Sequence, residues 1–453
     1  MVVEVPTRHV PHLIASRPPL VCKIGTLSIL FCNICVHVQS TNYPSQQSGK
    51  MFNKQLISAA TALSLVSGVF GVGCDDPTAT IKSAADATQV ANCDSIKGSV
   101  LIDRNAGPDI DIGGSLQEIG GDLTAENNGL LSSLRSDSLQ TIGGTFSLKN
   151  VTKLSTLNFP QLGEVGAIDW ATLNALPEPT FGNPGITKAK SVTIADTFIE
   201  NIDGINVQSL TDMNINNNRR LTKFSTSIKS LSNTLIIQAN GLNLTMEMPN
   251  LEWIANMTIA NVTSFSVPSL HTVNGSMRFD SNYFTTFIAA NLTEIQDGDL
   301  SFVSNPEITN ISIPSLERIG GGFTIANNTA LGKLNGFGDL NEIGGAVKVR
   351  GSFTDVQLPA LKDVKGAFEV VSTEDITNAC NTLNGLKGGV VQGDFNCHGK
   401  DANANDDTSS ASSDGSGSGN GTSNKKNAAS PVGTSMSTLY TLVALGSFVA
   451  ALL

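Results

Sequence analysis

The stretch SLERIGGGFTIANN (315–328) decides the fold, because the chain repeats its pattern many times. The clearest other copies are SLQEIGGDLTAENN (115–128), SLQTIGGTFSLKN (138–150) and DLNEIGGAVKVRGS (339–352). Each copy has an apolar anchor, a glycine-rich or polar turn, and a strand with apolar residues two positions apart. A short period with one brief strand per unit is typical of a solenoid, in which each coil covers its neighbour's apolar face.

Thirteen anchors recur at spacings of 18–24 residues. They are Ile96, Leu116, Leu139, Leu162, Ile186, Leu210, Ile228, Leu251, Leu270, Leu292, Leu316, Leu340 and Leu361. The apolar strand pairs are Val100/Ile102, Leu123/Ala125, Phe146/Leu148, Ile168/Trp170, Val192/Ile194, Met213/Ile215, Leu235/Ile237, Met257/Ile259, Met277/Phe279, Leu300/Phe302, Phe323/Ile325, Val347/Val349 and Phe368/Val370. We therefore predict a mainly β protein, an elongated right-handed parallel β-solenoid of about 13 coils over residues 74–400.

Asparagine follows seven of these strands, three residues past the second apolar position. An inward asparagine at a turn can bond the backbone groups that leave the sheet, and asparagine tolerates left-handed backbone. We predict a structural ladder rather than a ligand site for Asn105, Asn128, Asn218, Asn240, Asn282, Asn305 and Asn328. We predict tight corners with positive φ for Gly120/Gly121, Gly143/Gly144, Gly320/Gly321 and Gly344/Gly345.

The two ends of the chain have targeting signals. Residues 51–73 have a basic start, an apolar stretch and small residues near the end, which predicts a secretory signal peptide. Residues 1–50 lack the repeat and are interpreted as a mis-annotated or disordered extension. Residues 401–427 form a Ser/Gly/Asn-rich segment that predicts a disordered stalk. Residues 428–453 carry a polar spacer and a short apolar tail, the order of a removed GPI signal.

We predict GPI attachment at Asn427, followed by two small residues. The alternative is a transmembrane anchor. The apolar tail 439–453 is shorter than the roughly 20 residues that a spanning helix needs, and no basic flank follows it. The predicted location is therefore extracellular, on the outer leaflet of the plasma membrane, in the cell wall, or both.

Four cysteines remain after the leader, two at each end of the repeats. Secretion permits disulfides, and their placement predicts the local pairs Cys74–Cys93 and Cys380–Cys397 as end caps. The first pair brackets the stretch 80–92, which predicts a capping helix. Sequons predict N-glycosylation at Asn150, Asn243, Asn256, Asn261, Asn274, Asn291, Asn310, Asn327 and Asn420.

The charge excludes one class of partner. The whole chain carries −11, and residues 1–50 carry +3, so the remainder carries −14. An acidic chain of this kind does not favour nucleic acid or anionic lipid as a partner.

Few residues are candidates for catalysis or metal binding. His271 and His398 have no companion at metal-ligand or triad spacing. Paired acids such as Asp109/Asp111 and Asp297/Asp299 are what a glycosidase would need, yet both pairs lie in turn-like sequence and in different repeats. Trp170 and Trp253 are interpreted as core residues, with a sugar-stacking role as the alternative. We predict no catalytic residue, cofactor or metal site.

Several segments together resemble one fungal family. They are the cysteine–helix–cysteine cap, MNINNNRRL (213–221), IGGGFTIANNTALGKLNGF (319–337) and VVQGDFNC (390–397). They are similar to GPI-anchored cell-wall-organisation proteins with receptor-L-domain, leucine-rich-like repeats, of the extracellular-mutant and sporulation-specific type. The resemblance covers 51–453 and implies a role in wall organisation and integrity, with no catalytic residue to carry over.

The resulting functional prediction is a non-enzymatic, GPI-anchored surface glycoprotein that acts as a scaffold or binding surface for wall components. Its expected partners are wall polysaccharide or mannoprotein, together with the membrane through its lipid. One alternative is an adhesion or receptor-like module that binds protein. A less favoured alternative is a glycosidase that modifies wall polysaccharide.

Overall fold

The computed structural model describes residues 72–406, and every structural statement concerns that part of the chain. Most coils contribute to one parallel sheet of 22 strands, here called the main sheet. Its strands are Thr78–Ile81, Ser95–Ile96, Ser99–Ile102, Glu118–Ile119, Leu123–Glu126, Thr141–Lys149, Glu164–Ala171, Ser191–Ala195, Ser209–Asn216, Ser230–Gln238, Trp253–Ala260, Thr272–Val273, Met277–Asp280, Glu294–Ile295, Leu300–Val303, Arg318–Ile319, Phe323–Ala326, Glu342–Ile343, Val347–Gly351, Asp363–Val364, Phe368–Ser372 and Phe395–His398. The predicted parallel β-solenoid of about 13 coils is confirmed.

A second set of short parallel strands follows the ladder turn, and the sequence pattern missed it. These strands form small sheets of two to four members. They are Asp109–Asp111, Ser133–Arg135, Thr156–Phe159, Pro179–Phe181, Lys223–Ser225, Thr245–Glu247, Ser264–Ser266, Thr286–Ile288, Asn310–Ser312, Lys333–Leu334 and Asp355–Val356. The expectation of one strand per coil was therefore wrong. Each of these strands is only two to four residues long, too short for alternation to stand out.

The core is built as the repeat predicts. All thirteen anchors and all thirteen strand pairs are buried. The side chains of successive coils meet in one continuous cluster, in which Trp170 packs edge-to-face with Phe146 and stacks on the partly buried Phe181. Burial of each large side chain contributes about 1.5–3 kcal/mol before the loss of chain entropy. No coil encloses its own pair, so this stabilisation depends on its neighbours.

In most coils, the corner after the longer main-sheet strand has a left-handed residue followed by the ladder position. Ten coils share this conformation, with φ of 52–61° at Asn127, Asn150, Thr172, Asp196, Asn217, Ala239, Asn261, Ser281, Ser304 and Asn327. The following asparagine points inward and bonds the neighbouring coil. Asn282 Nδ2 donates to Ile259 O at 2.9 Å, and the Asn282 N–H donates to Asn305 Oδ1 at 2.9 Å.

The ladder has two runs and one isolated member. The runs are Thr197–Asn218–Asn240 and Asn282–Asn305–Asn328, while Asn128 bonds the turn before it. Thr197 is a ladder member that the search for asparagine missed. Asn105 was wrongly assigned to the ladder, because it is exposed. The coil before it leads into a helix and offers no matching turn; the Asn105 N–H instead donates to Asp103 Oδ1 at 2.9 Å.

Three of the four glycine pairs lie at bends as predicted, whereas Gly143/Gly144 lie within the strand Thr141–Lys149, and none of the pairs has the predicted positive φ. The first glycine lies against the preceding coil: a Cβ on Gly344 would stand 2.0 Å from Gly320 O. In three of the pairs, the second leaves room for a polar side chain of that coil. A Cβ on Gly321 would stand 2.4 Å from Asp299 Oδ1, and this oxygen accepts the Gly322 N–H at 2.8 Å. Close approach therefore requires these glycines.

Both ends carry disulfide-bonded caps, as predicted. Cys74–Cys93 and Cys380–Cys397 have Cα separations of 5.7 and 5.5 Å. Helix α1, Ala84–Ala91, is shorter than the predicted stretch, and the Ser83 side chain caps it by accepting the Asp86 N–H. At the other end are α2, Thr377–Leu383, and a 3₁₀ turn, Asn384–Leu386. The edge strands Thr78–Ile81 and Phe395–His398 extend the main sheet into the caps.

The predicted targeting segments lie outside the described residues. These are the extension 1–50, nearly all of the signal peptide 51–73, most of the stalk 401–427 and the GPI signal 428–453. They remain predictions. Within residues 72–406, no helix has both the length and the apolar character to cross a membrane.

Candidate binding surface

The outward side chains of the main sheet align in rows across the coils. The central row takes the residue between the two buried members of each pair, and strand register links every step from Leu101 to Glu369. In chain order it reads Leu101, Thr124, Ser147, Asp169, Thr193, Asn214, Ile236, Thr258, Arg278, Ser301, Thr324, Lys348 and Glu369. Neighbours in a row are about 4.8 Å apart.

The middle of this face carries one carboxylate and otherwise uncharged side chains. We define the neutral patch as twelve outward residues from three rows: Thr193, Asn214, Ile236, Thr258, Ala171, Ala195, Asn216, Gln238, Ser209, Ser230, Trp253 and Thr272. A fourth row runs between two of these rows and contains the carboxylate, Asp212, which stands between Ser209 and Asn214 on strand Ser209–Asn216. Asp212 Oδ1 accepts a hydrogen bond from Asn233 Nδ2 at 2.6 Å.

Ion pairs flank the patch on both sides. Toward the N-terminus, Lys149 Nζ lies 2.7 Å from Asp169 Oδ2. Toward the C-terminus, Arg278 Nη2 lies 3.4 Å from Asp299 Oδ2. Exposed pairs of this kind contribute little to stability. Their relevance is positional, because they mark where the neutral surface ends.

The amide groups of the patch keep part of their hydrogen-bonding capacity. Asn216 Nδ2 donates to Asn214 Oδ1 at 2.8 Å, which orients both side chains. Among the described residues, this is the one side-chain hydrogen bond of the pair, so the NH2 group of Asn214 and the amide oxygen of Asn216 remain available. Both residues are half-buried, which makes a hydrogen bond there more valuable than one in open solvent.

The structure separates the two tryptophans. Trp170 is a core residue, as predicted. The core interpretation of Trp253 is wrong: it is half-buried on the outward face, where Trp253 Nε1 donates to Asn274 Oδ1 at 2.8 Å. It faces outward because it stands one residue before the buried Ile254, at a position that pairs with Thr272. The indole thus supplies an aromatic surface at the patch border.

Sequons reach only the C-terminal part of this patch. Residues 151–242 contain no sequon, whereas Asn256 stands between Trp253 and Thr258 on one strand and Asn274 bonds Trp253. Of the eight predicted sites in the described residues, four are exposed and four half-buried. The exposed ones are Asn150, Asn243, Asn256 and Asn291, and the half-buried ones are Asn261, Asn274, Asn310 and Asn327. Asn420 and Asn427 lie outside the described residues.

One acid of each candidate glycosidase pair is bound to an arginine. Asp111 Oδ2 lies 2.8 Å from Arg135 Nε on a small second-face sheet. Asp299 is buried and bonds Gly322 and Arg278 on the main sheet, while Asp297 is exposed. Such engaged carboxylates do not favour the pair of free acids that sugar hydrolysis requires.

The histidines also lie apart. His271 is exposed in a turn, and His398 lies in the C-terminal cap between Asn396 and Asp401. Within residues 72–406, no group of three or more His, Cys, Asp or Glu side chains could hold a metal ion.

Several fungal proteins are similar to this chain. Protein ecm33 of Aspergillus fumigatus is 35% identical over 351 residues, which cover 76% of this chain and 86% of that protein. Sporulation-specific protein 2 of Saccharomyces cerevisiae is 33% identical over 66% of this chain and 59% of its own length. A cell surface GPI-anchored protein of Arthroderma benhamiae is 37% identical over 47% of this chain and 54% of its own length. No family model and no solved structure matches the chain.

Proposed function

Because the chain belongs to the fungal family of Ecm33-type and sporulation-specific cell-surface proteins, we propose that it organises the cell wall by binding uncharged wall polysaccharide on the neutral patch. Relatives are named as cell wall proteins and as GPI-anchored cell surface proteins, and this chain is a protein of the fungal surface. The proposed role is that of a non-catalytic scaffold, attached to the membrane through the predicted lipid.

The observation that carries the proposal is the scarcity of charge in the middle of an otherwise charged sheet face, where Asp212 is the one carboxylate between the patch rows. A neutral polysaccharide offers hydroxyl groups and apolar C–H faces, and has no charge to pair with. Thr193, Asn214 and Asn216 supply hydroxyl and amide partners, and Trp253 supplies a surface for a sugar ring. Because consecutive coils repeat each row at a constant spacing, the face suits a polymer with a repeating unit.

The proposed scaffold needs no reactive group, and the pairing of Asp111 with Arg135 and of Asp299 with Arg278 supports that choice. A protein partner is the alternative that the same surface could serve. It is less favoured, because the patch centre has one apolar residue, Ile236, where protein interfaces usually concentrate aromatic and apolar anchors.

Asn214→Lys tests the proposal by placing a charge in the middle of the patch. The matched control is Thr124→Lys, at the same row position but in the charged N-terminal coils. Processed protein from a fungal host is titrated with soluble neutral glucan and with mannan. We expect saturable binding that weakens at least tenfold in Asn214→Lys and stays unchanged in Thr124→Lys. Equal affinity in both variants, or no saturable binding by the unmodified protein, would contradict the proposal.

A further inference from the structure

A cleft of about 560 Å³ lies along the ladder corner, away from the neutral patch. Its lining comes from four consecutive coils and includes Leu242, Asn243, Asn261, Tyr283 and Glu307. Each of these residues lies one residue before its ladder position or up to three after it. The cleft therefore runs in the direction of coil stacking, with a volume in the range of small-ligand sites.

The cleft coincides with the break between the two ladder runs. Val262 takes the ladder position there, so no inward amide reaches back from that coil to the coil before it. Asn261 replaces this connection from the outer side: its Oδ1 accepts the Ala239 N–H at 3.3 Å and its Nδ2 donates to Ser281 O at 3.4 Å. The Asn261 side chain is thereby held against the cleft wall.

The walls of the cleft are unusually apolar for an exposed turn. Leu242 is 85% exposed, more than any other large apolar side chain in the described residues, and Tyr283 is 41% exposed. An apolar pair next to polar groups such as Glu307 and Thr263 matches the mixed character of a sugar, whose ring and acetyl methyl group are apolar and whose rim is polar.

Two sequon asparagines line the same cleft, which indicates the source of the sugar. Asn261 is held at both ends of its amide, as described above. Asn243 is exposed, and among the described residues its side chain makes no recorded hydrogen bond, so its Nδ2 is the better placed to carry a glycan. A sugar tethered at the cleft wall has an effective local concentration in the millimolar range, which favours it over a free chain even if the site is weak.

We propose that this cleft seats the first N-acetylglucosamine units of the chain's own N-linked glycan on Asn243, with the sugar packed on Tyr283 and Leu242. The inference is independent of polysaccharide binding at the neutral patch and depends on glycosylation of Asn243. A seated glycan would cover apolar surface that is otherwise exposed. It would also brace the corner where the inward ladder is interrupted.

A double-mutant cycle between Asn243→Gln and Tyr283→Ala tests the proposed contact between the Asn243 glycan and Tyr283, using processed glycoprotein from a fungal host. Glycopeptide mass spectrometry first measures occupancy at Asn243. We expect Asn243→Gln to lower Tm by about 2 °C in the unmodified background and to have no effect in the Tyr283→Ala background. The same cycle on enzymatically deglycosylated protein should show no coupling, which separates a glycan contact from a contact of the amide.

Asn291→Gln is the matched control, because Asn291 is also an exposed sequon but does not line the cleft. Its effect on Tm should be the same with and without Tyr283→Ala. Additive effects of Asn243→Gln and Tyr283→Ala in fully occupied protein would overturn the proposal, as would an unoccupied Asn243. Binding of a free soluble oligosaccharide to the glycosylated protein that is lost in Tyr283→Ala would also overturn it, because the cleft would then be open.

Discussion

Replacing Asn305 with alanine removes the most connected member of the inward ladder. Asn305 Nδ2 lies 3.2, 3.1 and 3.0 Å from Phe279 O, Val303 O and Asn328 Oδ1, and these three acceptors share its two N–H groups. Its Oδ1 accepts from the Asn282 N–H at 2.9 Å and from Asn282 Nδ2 at 3.0 Å. The side chain is fully buried, so water cannot replace these contacts without entering the core.

The expected decrease in the free energy of unfolding depends on which buried groups the substitution leaves without a hydrogen-bond partner. The backbone N–H of residue 305 still donates to Asn328 Oδ1, and Asn282 Nδ2 still donates to Ile259 O, so both survive the change. The Asn282 N–H loses its recorded acceptor in a buried site, which costs about 1–3 kcal/mol. The lost amide bonds add about 1 kcal/mol each before non-additivity, so we expect a total of about 3–5 kcal/mol.

Asn105→Ala is the control, because Asn105 occupies the equivalent repeat position but is exposed; its expected effect is within about 0.5 kcal/mol. Solenoids can unfold in parts, so urea denaturation is combined with native-state hydrogen exchange at the amide of Asn282. In Asn305→Ala, a local loss of about 3 kcal/mol should accelerate that exchange roughly 100-fold. The ladder argument fails if Asn305→Ala is as mild as Asn105→Ala and leaves this exchange rate unchanged.

Three other predictions test the corners and the C-terminal cap. Gly344→Ala would place a Cβ 2.0 Å from a backbone oxygen and should destabilise the protein by about 1–3 kcal/mol or more, measured by urea unfolding. Gly332→Ala is the control, because the space around Gly332 is open and the added methyl group should have little steric effect. Cys380→Ser breaks the C-terminal disulfide and should cost about 3 kcal/mol, while reductant should lower the Tm of the unmodified protein more than that of the variant, which retains only Cys74–Cys93. The Lys400 ammonium, with Thr377, holds the pKa of Asp375 well below its ordinary value. The stability from this carboxylate is therefore present above about pH 4 and lost as the pH falls further, so the Tm difference between the unmodified protein and Asp375→Asn should shrink on acidification from pH 7 to pH 3.

The sequence predicted the parts of the fold that give a repeated apolar signal. The anchors and strand pairs recur in every coil, and all are buried. The second-face strands gave no such signal, because each buries one or two side chains in two to four residues. Thr286–Ile288, for example, buries only Phe287. Alternation needs at least two inward residues to be visible.

Two further details could not be predicted from spacing alone. Asn105 and Asn128 have the same position in the repeat, but only Asn128 has a preceding turn whose carbonyls its amide can reach. Glycine is the right residue both for positive φ and for close backbone approach, so Gly320 and Gly344 gave no means of choosing between the two. The side of the sheet that Trp253 occupies could not be predicted either. It depends on the strand register, which is defined by the pairing of Trp253 with Thr272.

The buried pairs, helped in four coils by the paired glycines, explain why the outward face can carry a binding surface. In those four coils the first glycine brings the corner against a carbonyl of the preceding coil, and the second admits a polar side chain in three of them, as Gly321 does for Asp299. In every coil, a slip of one residue would turn the buried pair outward, which fixes the register. With the register fixed, outward residues such as Thr193 and Asn214 must align from coil to coil. Substitutions there can change the ligand without disturbing the core, so the chemistry of the neutral patch is set by its own side chains and its geometry by the buried repeat.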